Sequence, residues 1–182
     1  MATKRWVALL RGINVGGNKK VPMAQLRELV AELEWTEVAT YIQSGNVIFA
    51  AKGKPATLED ELEQALQAHF GFTVPVLVRS ADEWLGYAKG SAFPAAESGR
   101  PNLLHLALSK SPPKTDAKKA LQQYCKAGEQ VVVRGDAIWI DFVEGVGSSK
   151  LTPAVLDRVF GSTVTARNWK SVQAIAGLLG QG

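Results

Sequence analysis

The sequence predicts an α+β protein of two tandem ferredoxin-like (βαββαβ) subdomains with antiparallel sheets, followed by an extra C-terminal helix. Three observations carry this reading. Short runs rich in Val, Ile and Leu alternate with stretches whose apolar residues recur at helical spacing. The order strand, helix, strand, strand, helix occurs twice. A stretch rich in small residues, Pro and Gly separates the two occurrences, giving a first subdomain over 1–90, a linker over 91–101 and a second subdomain over 102–182.

Residues 5–11 (RWVALLR) read as the first strand and 12–20 as a Gly/Asn/Lys loop. Pro22 suits a first helical position, and Met23, Leu26, Leu29, Val30 and Leu33 share one helical face. Residues 37–42 and 46–50 are two strands joined by Gln43, Ser44 and Gly45, a hairpin length that makes them antiparallel neighbours. Thr57 opens a second helix with the stripe Leu58, Leu62, Leu66 and Phe70, and Gly71 closes it. Residues 73–79 form a fourth strand, which Pro75 confines to a sheet edge or a strand end. Ser80 and Glu83 then make a capping box for a short helix to about Ala88.

Past the linker, 102–109 is a strand, and 115–126 is a helix with Ala117, Ala120, Leu121 and Tyr124 on one side. Strands over 129–134 and 137–143 are pinned by Gly135 and Asp136. Thr152 caps a helix with Pro153 at its first position, ending near Phe160. A short strand over 163–166 precedes a last helix, capped by Asn168 and striped by Trp169, Val172, Ile175, Ala176 and Leu179. A single continuous mixed sheet is the alternative arrangement, and strand order decides between them.

Composition narrows the function classes. With 182 residues, 46% hydrophobic and 21% charged, the chain has ordinary globular usage, which argues against disorder and coiled coil. One cysteine, Cys125, excludes an intramolecular disulfide and fits a reducing cytoplasm; with two histidines it cannot build a His/Cys zinc site. No metal and no cofactor is expected. Arg11 ends the first apolar run well short of the about 7–15 residues of a signal core. No stretch approaches the roughly 18 apolar residues of a membrane span.

The net charge of +4 is uneven. Residues 1–90 hold 10 Lys/Arg and 10 Asp/Glu, whereas 91–182 hold 11 and 7. Within the first half, Lys4, Arg5, Arg11, Lys19 and Lys20 meet no acidic residue before Glu28. Such a field favours anionic partners, although a solvated basic surface has the same composition.

The segments RGINVGGNKKVPM (11–23), YIQSGNVIF (41–49), SSKL (148–151) and TARNW (165–169) resemble a bacterial domain-of-unknown-function family, number 1697. The resemblance runs from end to end in the same order. It implies tandem ferredoxin-like subdomains, in agreement with the pattern above, and no established activity.

The candidate ligand-binding residues are Arg11, Asn14, Lys19, Lys20, Ser44, Asn46, Lys150 and Arg167. The 12–20 loop lies between a strand and a helix, where backbone amides, Lys19 and Lys20 can face an anion; its glycines are equally suited to a tight crossover. It is not a P-loop, because Asn18 follows Gly17 and Val21 follows Lys20. Ser44, Gly45 and Asn46 are turn residues before they are anything else. Lys150 and Arg167 stand beside helix starts, where a bound anion is favourable and an unpaired cation is not. The strand over 45–50 lacks the basic and aromatic pattern of an RNA-recognition domain.

Trp139 alternates with Ile138 and Ile140 and so lies with Asp141 on the opposite sheet face, and Tyr41 and Trp6 are expected to point away from the helices too. These rings suit either a planar ligand or packing between subdomains. No catalytic set emerges: Cys125 beside Lys126 has no base assigned to it, His69 sits in a last helical turn, His105 is mid-strand, and the carboxylates from Glu59 to Glu63 suit a helix N-terminus. The expectation is therefore an anion-binding protein, taking a nucleotide or nucleic acid at a basic cleft between subdomains. The alternatives are a small-molecule enzyme using Arg11, Asn14, Lys19, Ser44 and Asn46 as a polar pocket, and an interaction module working through its Trp-bearing sheet faces.

Overall fold

A computed structural model describes residues 2–180. The chain divides into two compact units: one runs to Leu85 and resumes at Ala174, and the other is Gly86–Gln173.

The first unit contains β1 (Lys4–Leu10), α1 (Met23–Glu32), β2 (Thr36–Tyr41), β3 (Asn46–Ala51), α2 (Pro55–Phe70) and β4 (Val76–Ser80). Its four strands form an antiparallel sheet in the order β2-β3-β1-β4. The apolar side chains of one sheet face, Trp6, Ala8, Leu10, Val47, Phe49, Val76 and Val78, pack with Leu26, Leu29 and Val30 of α1 and Leu58, Leu62 and Leu66 of α2. That burial is what makes α1 a helix, since ten residues are too few to be stably helical alone.

Helix α3 (Ala81–Ala88) follows β4 directly, and its capping box is present. The Ser80 amide donates to Glu83 Oε2 at 2.7 Å, and the Glu83 amide donates to Ser80 Oγ at 3.3 Å.

The second unit repeats the plan with α4 (Pro94–Gly99), β5 (Leu104–Ser109), α5 (Ala117–Gln122), β6 (Gln130–Arg134), β7 (Ala137–Asp141), α6 (Pro153–Phe160) and β8 (Val164–Asn168), ordered β6-β7-β5-β8. Helix α7 (Trp169–Leu179) closes the chain. The core on the helix side joins Ala107, Ile138, Ile140 and Val164 to Ala117, Leu121, Leu156 and Phe160. Both expected caps form: Thr152 Oγ1 accepts from the Val155 amide, and Asn168 Oδ1 accepts from the Ser171 amide at 2.9 Å. The two sheets are separate, so the single continuous sheet is set aside.

Several expectations need correction. Trp6 does not point away from the helices: it belongs to the α1/α2 core, where its indole N–H donates to the Ala51 carbonyl at 3.1 Å. The stretch read as a linker without periodicity over 91–101 contains α4, six residues with Pro94 at its start, too short to show a stripe. Helix α2 begins at Pro55 rather than Thr57, so Glu59 and Glu63 lie beyond its first turn. They face β4 instead: Glu59 Oε1 accepts from the Val78 amide and Glu63 Oε1 from the Val76 amide. The helix expected over 115–126 is regular only over Ala117–Gln122.

Candidate functional site

Three loops of the first unit are tied together at the C-terminal end of β1. The loop leaving β1 is itself a miniature hairpin in which Val15 pairs with Asn18 across Gly16 and Gly17, both at positive φ. Asn14 holds its base. The Asn14 amide donates to the Lys19 carbonyl, its Oδ1 accepts from the Val21 amide at 2.9 Å, and its Nδ2 donates to the Val21 carbonyl at 3.0 Å. The same Nδ2 donates to the Gln43 carbonyl at 2.8 Å, which fastens the hairpin to the β2–β3 turn.

That turn is held from inside as well. Buried Asn46 donates from Nδ2 to the Tyr41 carbonyl at 2.9 Å and to Ser44 Oγ at 3.1 Å. The Leu10 amide donates to the Gly45 carbonyl at 2.8 Å. Gly45 has φ +80°, and a Cβ there would lie 2.6 Å from Ile13 Cδ1 and 2.8 Å from Leu10 Cβ, so only glycine lets this turn sit against β1. The third loop, between α2 and β4, joins through Lys19 Nζ, which donates to the Thr73 carbonyl at 2.6 Å, and through the Arg11 amide, which donates to the Pro75 carbonyl at 2.9 Å.

The structure thus brings Arg11, Asn14, Lys19, Lys20, Ser44 and Asn46 to one end of one sheet. Their roles differ. Asn14, Ser44 and Asn46 spend their polar atoms on the loops themselves, while Lys20 is exposed and Arg11 and Lys19 are half-buried. Helix α1 starts here with no side-chain cap and no acidic residue in its first turn, leaving its positive end beside Lys19 and Lys20. Gln43, Ile42 and Thr73 were not singled out from sequence. For Ile42 and Gln43 the only signal was the hairpin length, which gives a turn but not its neighbours, and Thr73 carried no signal.

Lys150 and Arg167 belong to the second unit. Lys150 is exposed just ahead of the Thr152 cap of α6. Arg167 is buried on β8, where it donates to the Ala166 carbonyl at 2.9 Å and to Thr165 Oγ1 at 3.3 Å; burial lowers its pKa to about 10, so it remains charged at neutral pH. Nearby, Arg100 grips the buried Asp141 with two hydrogen bonds, Nε to Oδ1 at 2.9 Å and Nη2 to Oδ2 at 2.5 Å, and the pair raises the pKa of Arg100. Trp139 lies on the face of Asp141, as its alternation requires, and meets Trp169 edge-on at 5.7 Å.

Cys125 is not an activated nucleophile. Burial pushes its thiol up, and the neighbouring Glu129 charge adds to this against the weaker opposing effect of Lys126. Among the described residues no group of three His, Cys, Asp or Glu side chains could hold a metal ion, and no helix is long and apolar enough to cross a membrane.

A family described as a protein of unknown function (DUF1697) matches residues 3–139. Among solved structures, the conserved bacterial protein SP0830 from Streptococcus pneumoniae is 26% identical with a TM-score of 0.73, over 98% of this chain and 99% of that one. An unknown protein from Galdieria sulphuraria aligns over 99% of this chain and 91% of its own, at 10% identity and a TM-score of 0.26. No curated protein matches significantly.

Proposed function

The chain belongs to the DUF1697 family, whose function is unknown, and on that premise we propose that it binds an anionic ligand, a nucleotide or nucleic acid, at the loop end of its first sheet. One observation supports the reading: three loops joined by direct hydrogen bonds bring Arg11, Lys19 and Lys20 to one end of the sheet, in the segment that leads into the uncapped start of α1. No acidic residue precedes Glu28 in the chain to cancel their charge.

The division of labour is physical. Asn14 and Asn46 hold the loops in one conformation, so the entropy of ordering them is already spent when a ligand arrives. Arg11 and Lys20 supply charge, and the α1 amides supply directed donors. Lys150, beside the start of α6, is a second cation placed by the same logic.

Titrating the intact protein with ATP and with a short single-stranded oligonucleotide, followed by tryptophan fluorescence over a salt series, tests the proposal. Saturable binding that weakens as salt rises, and that falls several-fold in Lys20→Glu, is the expected result. Absence of binding at low salt, or binding insensitive to both salt and Lys20→Glu, overturns it.

A further inference from the structure

The two sheets have four edge strands, and three of them carry a feature that discourages further pairing. On β4 the outward amides of Val76 and Val78 are taken by Glu63 and Glu59, and on β8 the Val164 amide is taken by Asp157. Strand β2 is broken by a register shift between Thr36 and Ala39, with Glu37 at φ +51°. Strand β6 differs: its five residues pair with β7 in unbroken register, from Gln130 with Asp141 to Arg134 with Ala137.

Which groups of β6 face outward follows from β7. The Phe142 amide donates to the Leu103 carbonyl at 2.9 Å, so Phe142, Ile140 and Ile138 direct their backbone groups toward β5, and Asp141, Trp139 and Ala137 direct theirs toward β6. Gln130, Val132 and Arg134 complete those bonds, which leaves the N–H and C=O of Val131 and Val133 on the outer edge. Among the described residues nothing pairs with them.

A cleft of about 310 Å³ is bounded by Val131 and Val132 of this strand and by Lys118 and Gln122 of α5, which stand one helical turn apart. Lys118 is exposed and has no hydrogen-bond or ion-pair partner among the described residues. From Lys114 to Arg134, through α5 and β6, the chain carries five basic residues and two acidic, a net +3. One of the two, Glu129, is buried with its oxygens held by the Ala127 amide and the Ser149 hydroxyl.

We propose that β6 takes up an extended segment of another protein as a fifth strand of its sheet, with acidic side chains at the alternate positions that pass α5. Main-chain bonds to Val131 and Val133 hold the segment, and Lys118 selects its charge. A second copy of this chain is the poorer occupant, because pairing β6 with β6 sets two stretches of net charge +3 against each other.

The probes are blocked, fluorescein-labelled peptides of seven residues, alternating glutamate with valine or lysine with valine, and anisotropy reads their binding to the intact protein. The glutamate peptide should bind saturably and several-fold more tightly than the lysine peptide, with hydrogen exchange slowed at Val131 and Val133. Lys118→Glu should erase that preference. Val133→Pro removes one outward donor and spares the ladder to β7, since an edge strand accepts proline where its N–H faces out; it should weaken binding several-fold with an unchanged circular dichroism spectrum. N-methylation of the peptide repeats the test without altering the protein: one alternate set of methyl groups should abolish binding and the other spare it. Binding of neither peptide, binding indifferent to charge or to N-methylation, or a dimer in sedimentation that Val133→Pro dissolves, overturns the proposal.

Discussion

Glu59 on α2 accepts a hydrogen bond from the Val78 amide on β4 at 2.8 Å, and one helical turn further on Glu63 does the same for Val76 at 2.7 Å. Strand β4 is the sheet's edge, and these carboxylates occupy amides that point away from β1. An edge whose donors are taken cannot recruit another strand. Glu59→Ala should leave a buried amide unpaired and cost about 1.5–3 kcal/mol, read from the denaturant midpoint. Glu63→Ala, at a half-buried position, should cost less, and the double variant should aggregate on heating. An unchanged midpoint in Glu59→Ala would show that the capping bonds contribute nothing.

The second unit uses the same device with a different spacing. Asp157 on α6 accepts from the Val164 amide at 2.9 Å, seven residues on, whereas Glu63 reaches across thirteen. The order of elements was legible because apolar period depends only on local sequence, and Pro153, Asn168 and Ser80 announced their helices correctly. The carboxylate partners were not legible: a glutamate near a helix start looks the same whether it faces solvent or a strand. The same limit applies to Trp6, whose face is set by which parity β3 and β4 impose on β1. At the candidate site, the turn at Ser44, Gly45 and Asn46 could be read, but its attachment to Asn14 joins positions twenty-nine residues apart.

Ile42 has φ +50° and is 49% exposed. A β-branched residue in the left-handed region carries strain that asparagine tolerates far better. Ile42→Asn should therefore stabilise the protein by about 1 kcal/mol, because relief of strain exceeds the small burial lost. Differential scanning calorimetry would read this as a higher Tm; a lower one would mean that Ile42 contributes packing worth more than its backbone costs.

Gly16 and Gly45 share a positive φ but differ in their surroundings, which separates two costs. A Cβ on Gly16 meets nothing within 4 Å, so Gly16→Ala bears only the conformational penalty, about 1 kcal/mol. Gly45→Ala adds a collision: Ile13 Cδ1 can swing aside, but Leu10 Cβ is fixed to the strand. Its loss should reach about 3 kcal/mol. Equal destabilisation of the two variants in urea would contradict the close approach.

His105 sits on β5, its ring edge-on to Phe142 at 5.0 Å and its Nε2 3.1 Å from the Asn102 carbonyl. Burial lowers its pKa, the Asn102 carbonyl opposes that, and the charge of Arg167 lowers it further. The folded protein thus holds its proton less tightly than the unfolded chain does. Between the unfolded value, about 6.5, and the lower folded one, the unfolded state binds more protons, so stability rises with pH across that window. Acidification from neutrality should therefore destabilise the protein, and the loss attributable to His105 should stop growing once pH passes below the folded pKa. His105→Gln should flatten this part of the stability profile measured by urea titration between neutral and mildly acidic pH. A slope of the same size in the variant would assign the acid sensitivity to other groups.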